Sequence, residues 1–187
     1  MSEECHMVFK LGLVAAATVL TLSGGAMAAD PRHPVIQGYG AIAPMPNAKE
    51  RPDRSLHYRV LFSVTKAAAS PDQVNPNLEK VARFVNLLGA DGVRPAAGDV
   101  AVVIHGPATA LVMNVVAYGE RTKVAKNPNL PLVAALQAAG VSVRVCSQAL
   151  VGNKVDPATV DKDIEIDVSA LTTMATLQLR GWALIPD

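Results

Sequence analysis

The run Asp99-Val-Ala-Val-Val-Ile-His105 constrains the fold more than any other stretch of this chain. It holds five consecutive apolar residues, four of them β-branched, between Asp99 and the turn-forming His105-Gly106-Pro107. A run this short and this rich in Val and Ile predicts a strand buried on both faces. Strands of that kind belong to parallel sheets, because only crossover connections lay cover on both sides. The rest of the chain should therefore alternate strand with helix.

It does. Leu56 to Thr65 ("LHYRVLFSVT") reads as a first strand, being rich in β-branched and aromatic residues. "NPNLEKVARFVNLLGADG" follows, with Pro76 suited to a first helical turn. Its residues Leu78, Val81, Ala82, Val85 and Leu88 recur at three and four, and Gly89 lies near the end. After the central run, 107–126 is expected to be helical in part. "NPNLPLVAALQAAG" predicts a helix with Asn127 as its cap, Leu130, Val133, Ala134 and Leu136 as its apolar positions, and Gly140 as its stop. "VSVRVC" gives a third strand and Ile164 to Ser169 a fourth. "ALTTMATLQLRG" gives a last helix and "WALIP" a last strand. Alternation throughout implies a mainly parallel sheet with helices on both faces. No internal repeat or second domain interrupts it.

The N-terminal region has a different composition. No charge occurs from Leu11 to Ala29, and the apolar core Leu11 to Leu22 is short of the roughly 20 residues a bilayer span needs. It closes on the small-x-small pattern Ala26-Met27-Ala28. Together with Lys10 this predicts a signal peptide over 1–28, cleaved near Ala28, and a periplasmic or secreted protein with no membrane attachment afterwards. Glu3 and Glu4 fit an n-region poorly, so Met7 is an alternative start to Met1. Residues 29–55 carry Pro31, Pro34, Pro44, Pro46 and Pro52 with no helical period, and predict an extended arm. Val35, Ile36, Tyr39 and Ile42 favour docking of that arm over a free spacer. The α/β domain is then 56–187. Without Lys10, Glu3 and Glu4 the chain's 17 basic and 16 acidic residues become near balanced, which gives no reason to expect nucleic-acid or acidic-lipid binding.

Ligands of open parallel sheets bind at the carboxyl ends of the strands. That rule selects His105 after the second strand, Cys146 after the third, and Asp167 and Ser169 at the end of the fourth. Only two cysteines occur, Cys5 and Cys146, and Cys5 would leave with the signal. Cys146 would then be a lone thiol in an oxidising compartment. In "VSVRVC" Val141, Val143 and Val145 share one face, while Ser142, Arg144 and Cys146 share the other. That second face looks too polar for a sealed core and is expected to meet solvent or another subunit. "SQALVG" can open a short helix, so the helix end and Arg144 would both favour a thiolate at Cys146. The opposing reading makes Cys146 a small buried hydrophobe. His105 either satisfies a turn before Gly-Pro or lines a pocket beside the thiol. Asp163, Glu165 and Asp167 alternate with Ile164, Ile166 and Val168 and read as a solvated strand face.

Other chemistries lack their residues. Gly38-Tyr39-Gly40 is isolated and sits in the arm, so no phosphate loop is present. The mature chain's His33, His57 and His105 have no metal-ligand spacing, and there is no Cys-x-x-Cys or serine nucleophile elbow. No cofactor and no metal is implied.

"VAVVIHGPA", "NPNLPLVAALQAAGVSVRVCSQAL" and "SALTTMATLQLRGWALIP", in that order, resemble the DsrE/DsrF-like sulfur-relay family over roughly residues 56–186, and the arm "PVIQGYGAIAPMP" resembles its exported members. The resemblance implies a three-layer α/β/α sandwich with a mainly parallel five-stranded sheet, assembled into homo-oligomers. It also implies that the position of Cys146 carries sulfur as a persulfide, passed between a donor and an acceptor protein. Many relatives have glycine after that cysteine, where this chain has Ser147, and the cytoplasmic relay partners are not available to an exported protein. Two functions are therefore in view. One is an exported sulfur carrier, sulfurtransferase-like at most, with Cys146 as acceptor, Arg144 stabilising the thiolate and His105 in the pocket. The other is a non-catalytic binding or assembly module in which Cys146 is a packing residue.

Overall fold

The computed structural model describes residues 30–187. The expected signal peptide, Cys5 and the choice between Met1 and Met7 lie outside the described residues. Five parallel strands form one sheet in the order β4-β3-β2-β1-β5. In chain order the elements are β1 (Val60–Val64), α1 (Pro76–Ala90), β2 (Val100–Ile104), a 3₁₀ segment (Gly106–Val112), α2 (Val115–Thr122), α3 (Leu130–Ala138), β3 (Ser142–Cys146), α4 (Ser147–Gly152), β4 (Glu165–Asp167), α5 (Ala170–Leu179) and β5 (Ala183–Ile185). None of the described helices is long and apolar enough to cross a membrane.

The central run is β2, and all five of its residues are buried. Each fully buried Val or Ile there stabilises the fold by roughly 1.5–3 kcal/mol relative to exposure. Its alternate residues serve two separate cores. Val100, Val102 and Ile104 face the larger one, with Val60, Phe62, Val64, Val143 and Val145 from the neighbouring strands and Leu78, Val81, Leu132 and Leu136 from α1 and α3. Ala101 and Val103 face a smaller one made by Leu61, Cys146 and, from α5, Ala170 and Leu177. The sheet is thus covered on both faces, thickly by α1 and α3 and thinly by α5.

α1 begins where its sequence says. Asn75 caps it through Oδ1, which accepts from Asn77 N at 2.9 Å, and Pro76 occupies the first turn where its missing N–H costs nothing. α3 departs from expectation. Its N-cap position is Asn129, and Asn127 lies upstream as a buried staple, its Nδ2 donating to the carbonyls of Leu111 and Met113. Leu132 takes the buried place assigned to Ala134, which is exposed. The helix starts two residues later than Asn127 would have set it. The first strand is also shorter than its apolar pattern, since Leu56 to Arg59 lie outside the ladder.

The arm lies along α1. Asn86, fully buried, accepts from the amides of Val35 (2.9 Å) and Ile36 (2.8 Å) and donates to the carbonyls of Tyr39 (2.9 Å) and Gly40 (3.0 Å). Ile36 and Ile42 are buried beneath it. Gly40 is required at its position. It has φ +61, and a Cβ there would lie 2.2 Å from Arg83 N.

Candidate functional site

The carboxyl ends of β1 to β4 carry the candidate residues in one row. Cys146 ends β3 and is paired in register with Asp167 of β4. On the other side Ile104 pairs with Val145, so His105, one residue further along, stands beside Cys146. His105 is still extended (φ −156, ψ −177), and its N–H donates to Val64 O at 3.0 Å, which carries the β1–β2 ladder past the end of the strand. Alternation puts His105, Cys146 and Asp167 on the face covered by α5. Adjacent strands lie roughly 4.8 Å apart, so neighbouring side chains in this row are within mutual reach.

Cys146 is 5% exposed. Its face was expected to meet solvent or a second subunit, but Cys146 belongs to the small apolar cluster on that face, with Leu61, Ala101 and Val103 from the sheet and Ala170 and Leu177 from α5. α4 starts at Ser147, and Cys146 Sγ serves as its cap, accepting from Ala149 N at 3.4 Å. Ser147 Oγ donates to Val168 O at 2.7 Å, which ties the start of α4 to the turn before α5.

Arg144 is committed to other partners. Its guanidinium reaches Glu165 at 3.3 Å and Asp167 at 3.5 Å, and its Nε donates to Ser142 Oγ at 2.8 Å. Two carboxylates already meet its charge, which weakens any field it sends to the thiol. Asp167 also accepts from Thr173 Oγ1 at 2.8 Å, pinning α5 to β4. Ser169 caps α5, its Oγ accepting from Leu171 N at 3.2 Å. Both residues selected at the end of the fourth strand therefore have structural partners. Asp163 and Glu165 are exposed, as a solvated strand face requires.

His105 is half-buried and shares a 3.0 Å hydrogen bond between its Nε2 and Ser63 Oγ. Burial pushes its imidazole below the ordinary histidine value, and the nearby Asp187 carboxylate opposes part of that shift. Ser63 and Asp187 were not among the residues selected from sequence. Ser63 carries a faint signal, as a polar residue inside the apolar strand Leu61-Phe-Ser-Val64. Asp187 carries none, because only the pairing of β5 with β1 brings it near Thr65. Gly106, with φ +57, follows His105 and lets the chain turn tightly against Thr65.

Among the described residues no group of His, Cys, Asp and Glu could hold a metal ion. A cavity of about 480 Å³ lies between the arm and the end of α1, lined by Pro34, Ile42, Met45, Pro52 and Leu87, and touches none of the row.

Comparison with known proteins supports this architecture. The profile of the DsrE/DsrF-like family matches residues 58–186. Among solved structures, a protein of unknown function, MTH1491 from Methanobacterium thermoautotrophicum, is 21% identical with a TM-score of 0.50, covering 70% of this chain and 99% of its own. The ychN protein from E. coli is 12% identical with a TM-score of 0.50, again covering 70% of this chain and 99% of its own. At these identities the two structures establish the fold alone. No curated protein matches.

Proposed function

The chain belongs to the DsrE/DsrF-like family, and from that premise we propose that it is an exported sulfur carrier that holds sulfane sulfur as a persulfide on Cys146. The observation that carries this reading is the placement of Cys146 at the carboxyl end of β3, beside His105 and in register with Asp167. In the reaction, His105 takes the thiol proton, and its burial favours the neutral imidazole that can do so. The Cys146 thiolate attacks the sulfane sulfur of a polysulfide or thiosulfate. A new S–S bond forms at Sγ, the donor's S–S bond breaks, and the leaving group (a shorter polysulfide, or sulfite) departs with the electron pair. Ala149 N–H, which already points at Sγ, stays to hold the anion. Arg144 acts at one remove, by holding Asp167 beside the thiol. The signal-like sequence of 1–28 supports export, and an exported carrier would meet its donor and acceptor proteins outside the cytoplasm.

The burial of Cys146 favours a second reading, an oligomeric assembly module in which the thiol is core packing. Val151, Ile166, Val168 and Leu171 are exposed around the α4–β4–α5 edge and would suit contacts between subunits.

Intact mass spectrometry after exposure to polysulfide separates the two, with Cys146→Ser in parallel. Serine keeps an oxygen acceptor for Ala149 N–H, so the control retains the cap of α4. Mass gains in steps of one sulfur, reversed by reductant and absent from Cys146→Ser, support the carrier. A folded protein whose thiol resists both polysulfide and alkylation supports the assembly module.

A further inference from the structure

Oδ2 of Asp187 accepts hydrogen bonds from four donors. Thr65 N and Lys66 N each donate at 3.0 Å, Thr65 Oγ1 at 2.6 Å and Asn77 Nδ2 at 3.4 Å. Two successive backbone N–H groups converging on one oxygen, with a hydroxyl and a side-chain amide beside them, make a concavity fitted to an anion. Two lysines flank it. Lys66 is part of the cradle, and Lys80 Nζ donates to Pro186 O at 2.6 Å, one residue from the bound carboxylate. The cradle lies at the carboxyl end of β1, on the rim where open parallel sheets take their ligands.

The present occupant is lightly held elsewhere. Asp187 follows β5, a three-residue edge strand that pairs only with β1, and Ala183 and Leu184 of that strand are exposed. Withdrawing the carboxylate would expose little of either core. The donors are exposed or half-buried, so the vacated cradle would be open to solvent and to a replacement of the same chemistry. The tight donor set holds the Asp187 carboxyl below its ordinary value against the opposing effect of burial, as expected for an anion well solvated by N–H groups.

We propose that Thr65, Lys66 and Asn77 form a binding site for a small oxyanion, and that the Asp187 carboxylate is a built-in, displaceable occupant of it. This site is separate from Cys146 and does not depend on the sulfur reading. It lies next to His105 in the row, roughly 10 Å (two strand spacings) from the thiol. An internal competitor lowers apparent affinity by the fraction of molecules in which it is bound. Removing it therefore unmasks the site.

The test follows the backbone amide shifts of Thr65 and Lys66 in the 30–187 region of the full chain. Sodium thiosulfate, sulfate and acetate are titrated at constant ionic strength set with chloride. Asp187→Ala is expected to give saturable shifts at both amides, with a midpoint at least about tenfold below that of the unaltered protein. Adding Thr65→Ala should raise that midpoint again through loss of the hydroxyl. Earlier saturation by the tetrahedral ions than by acetate, or the reverse, identifies the shape preferred. Unchanged amides at Leu61 and Val103 report an intact sheet. If Asp187→Ala opens β5, Asp187→Asn, which keeps the side-chain shape without the charge, carries the same comparison. Shifts that do not saturate in either variant, or midpoints equal to that of the unaltered protein, would overturn the proposal and leave Asp187 as a structural clasp.

Discussion

Asn86→Ala should release the arm and leave the sheet intact. The Asn86 side chain is the only buried polar link from α1 to both Val35-Ile36 and Tyr39-Gly40 among the described residues, and it makes four close hydrogen bonds to them. Alanine removes all four. Each of the two arm N–H groups left buried would cost about 1–3 kcal/mol. The arm can avoid that penalty by detaching into water, so the loss is capped by what docking itself contributes. Burial of Ile36 and Ile42 contributes roughly 1.5–3 kcal/mol each, before the entropy of ordering the arm is subtracted. The net loss of local protection is then about 2–4 kcal/mol, a rise of about 30- to 1000-fold in opening. Native-state hydrogen exchange at Ile42 is the proper readout. Its N–H donates to Arg32 O at 2.9 Å, a bond the substitution does not touch. α1 itself should not suffer, because alanine has the better helix propensity. An Ile42 exchange rate within about threefold of the original would refute the argument. So would an equal loss of protection at Val102 in the central strand, which would mean that arm and sheet open as one unit.

Three further outcomes are expected. Gly40→Ala should free the same Ile42 amide, because its Cβ would press on the α1 backbone, 2.2 Å from Arg83 N and 2.4 Å from Ala82 C, at a φ of +61. Asp187→Ala should lower the titration midpoint of His105 still further, followed by its imidazole proton resonance, since the carboxylate opposes the effect of burial; a midpoint that rises would contradict the assignment. In acid, the depressed Asp187 carboxyl contributes stability that is present above the ordinary carboxylate value of 3.8 and is lost as pH falls through its lower folded value. The difference in urea midpoint between the protein and Asp187→Asn should therefore shrink below pH 3.8, and a difference that stays constant would show that the charge is not involved.

The sheet was legible in the sequence because burial on both faces leaves an unmistakable mark. Val100 to Ile104 could be nothing else, and the periodic apolar residues of α1 could pack only on such a strand. The site was legible only as positions. Strand ends named His105 and Cys146, but nothing in "VSVRVC" shows that α5, more than 20 residues later, closes over the thiol. Arg144 was read through its neighbour in sequence, whereas its charge is spent on β4, a strand reached only after a crossover. Asn127 misled for a similar reason. A side chain that could cap a helix has its partners in the preceding segment, and local propensity does not register that choice.

The two faces of the sheet differ in a way that bears on the thiol. α1 and α3 bury long rows of Leu and Val against the first face, whereas α5 buries only Ala170 and Leu177 against the second. Half-buried Met174 and Trp182 pack beside them, and Thr173 ties the helix to Asp167 of β4. A helix with few fully buried side chains opens at lower free energy than the sheet beneath it. Cys146 is therefore closed off by a thinly buried helix, and from the side on which His105 and Asp167 stand. On the proposed reading, local opening of α5 would expose the thiol while the core on the opposite face stays packed, so alkylation of Cys146 should track exchange at the α5 amides rather than at Val102.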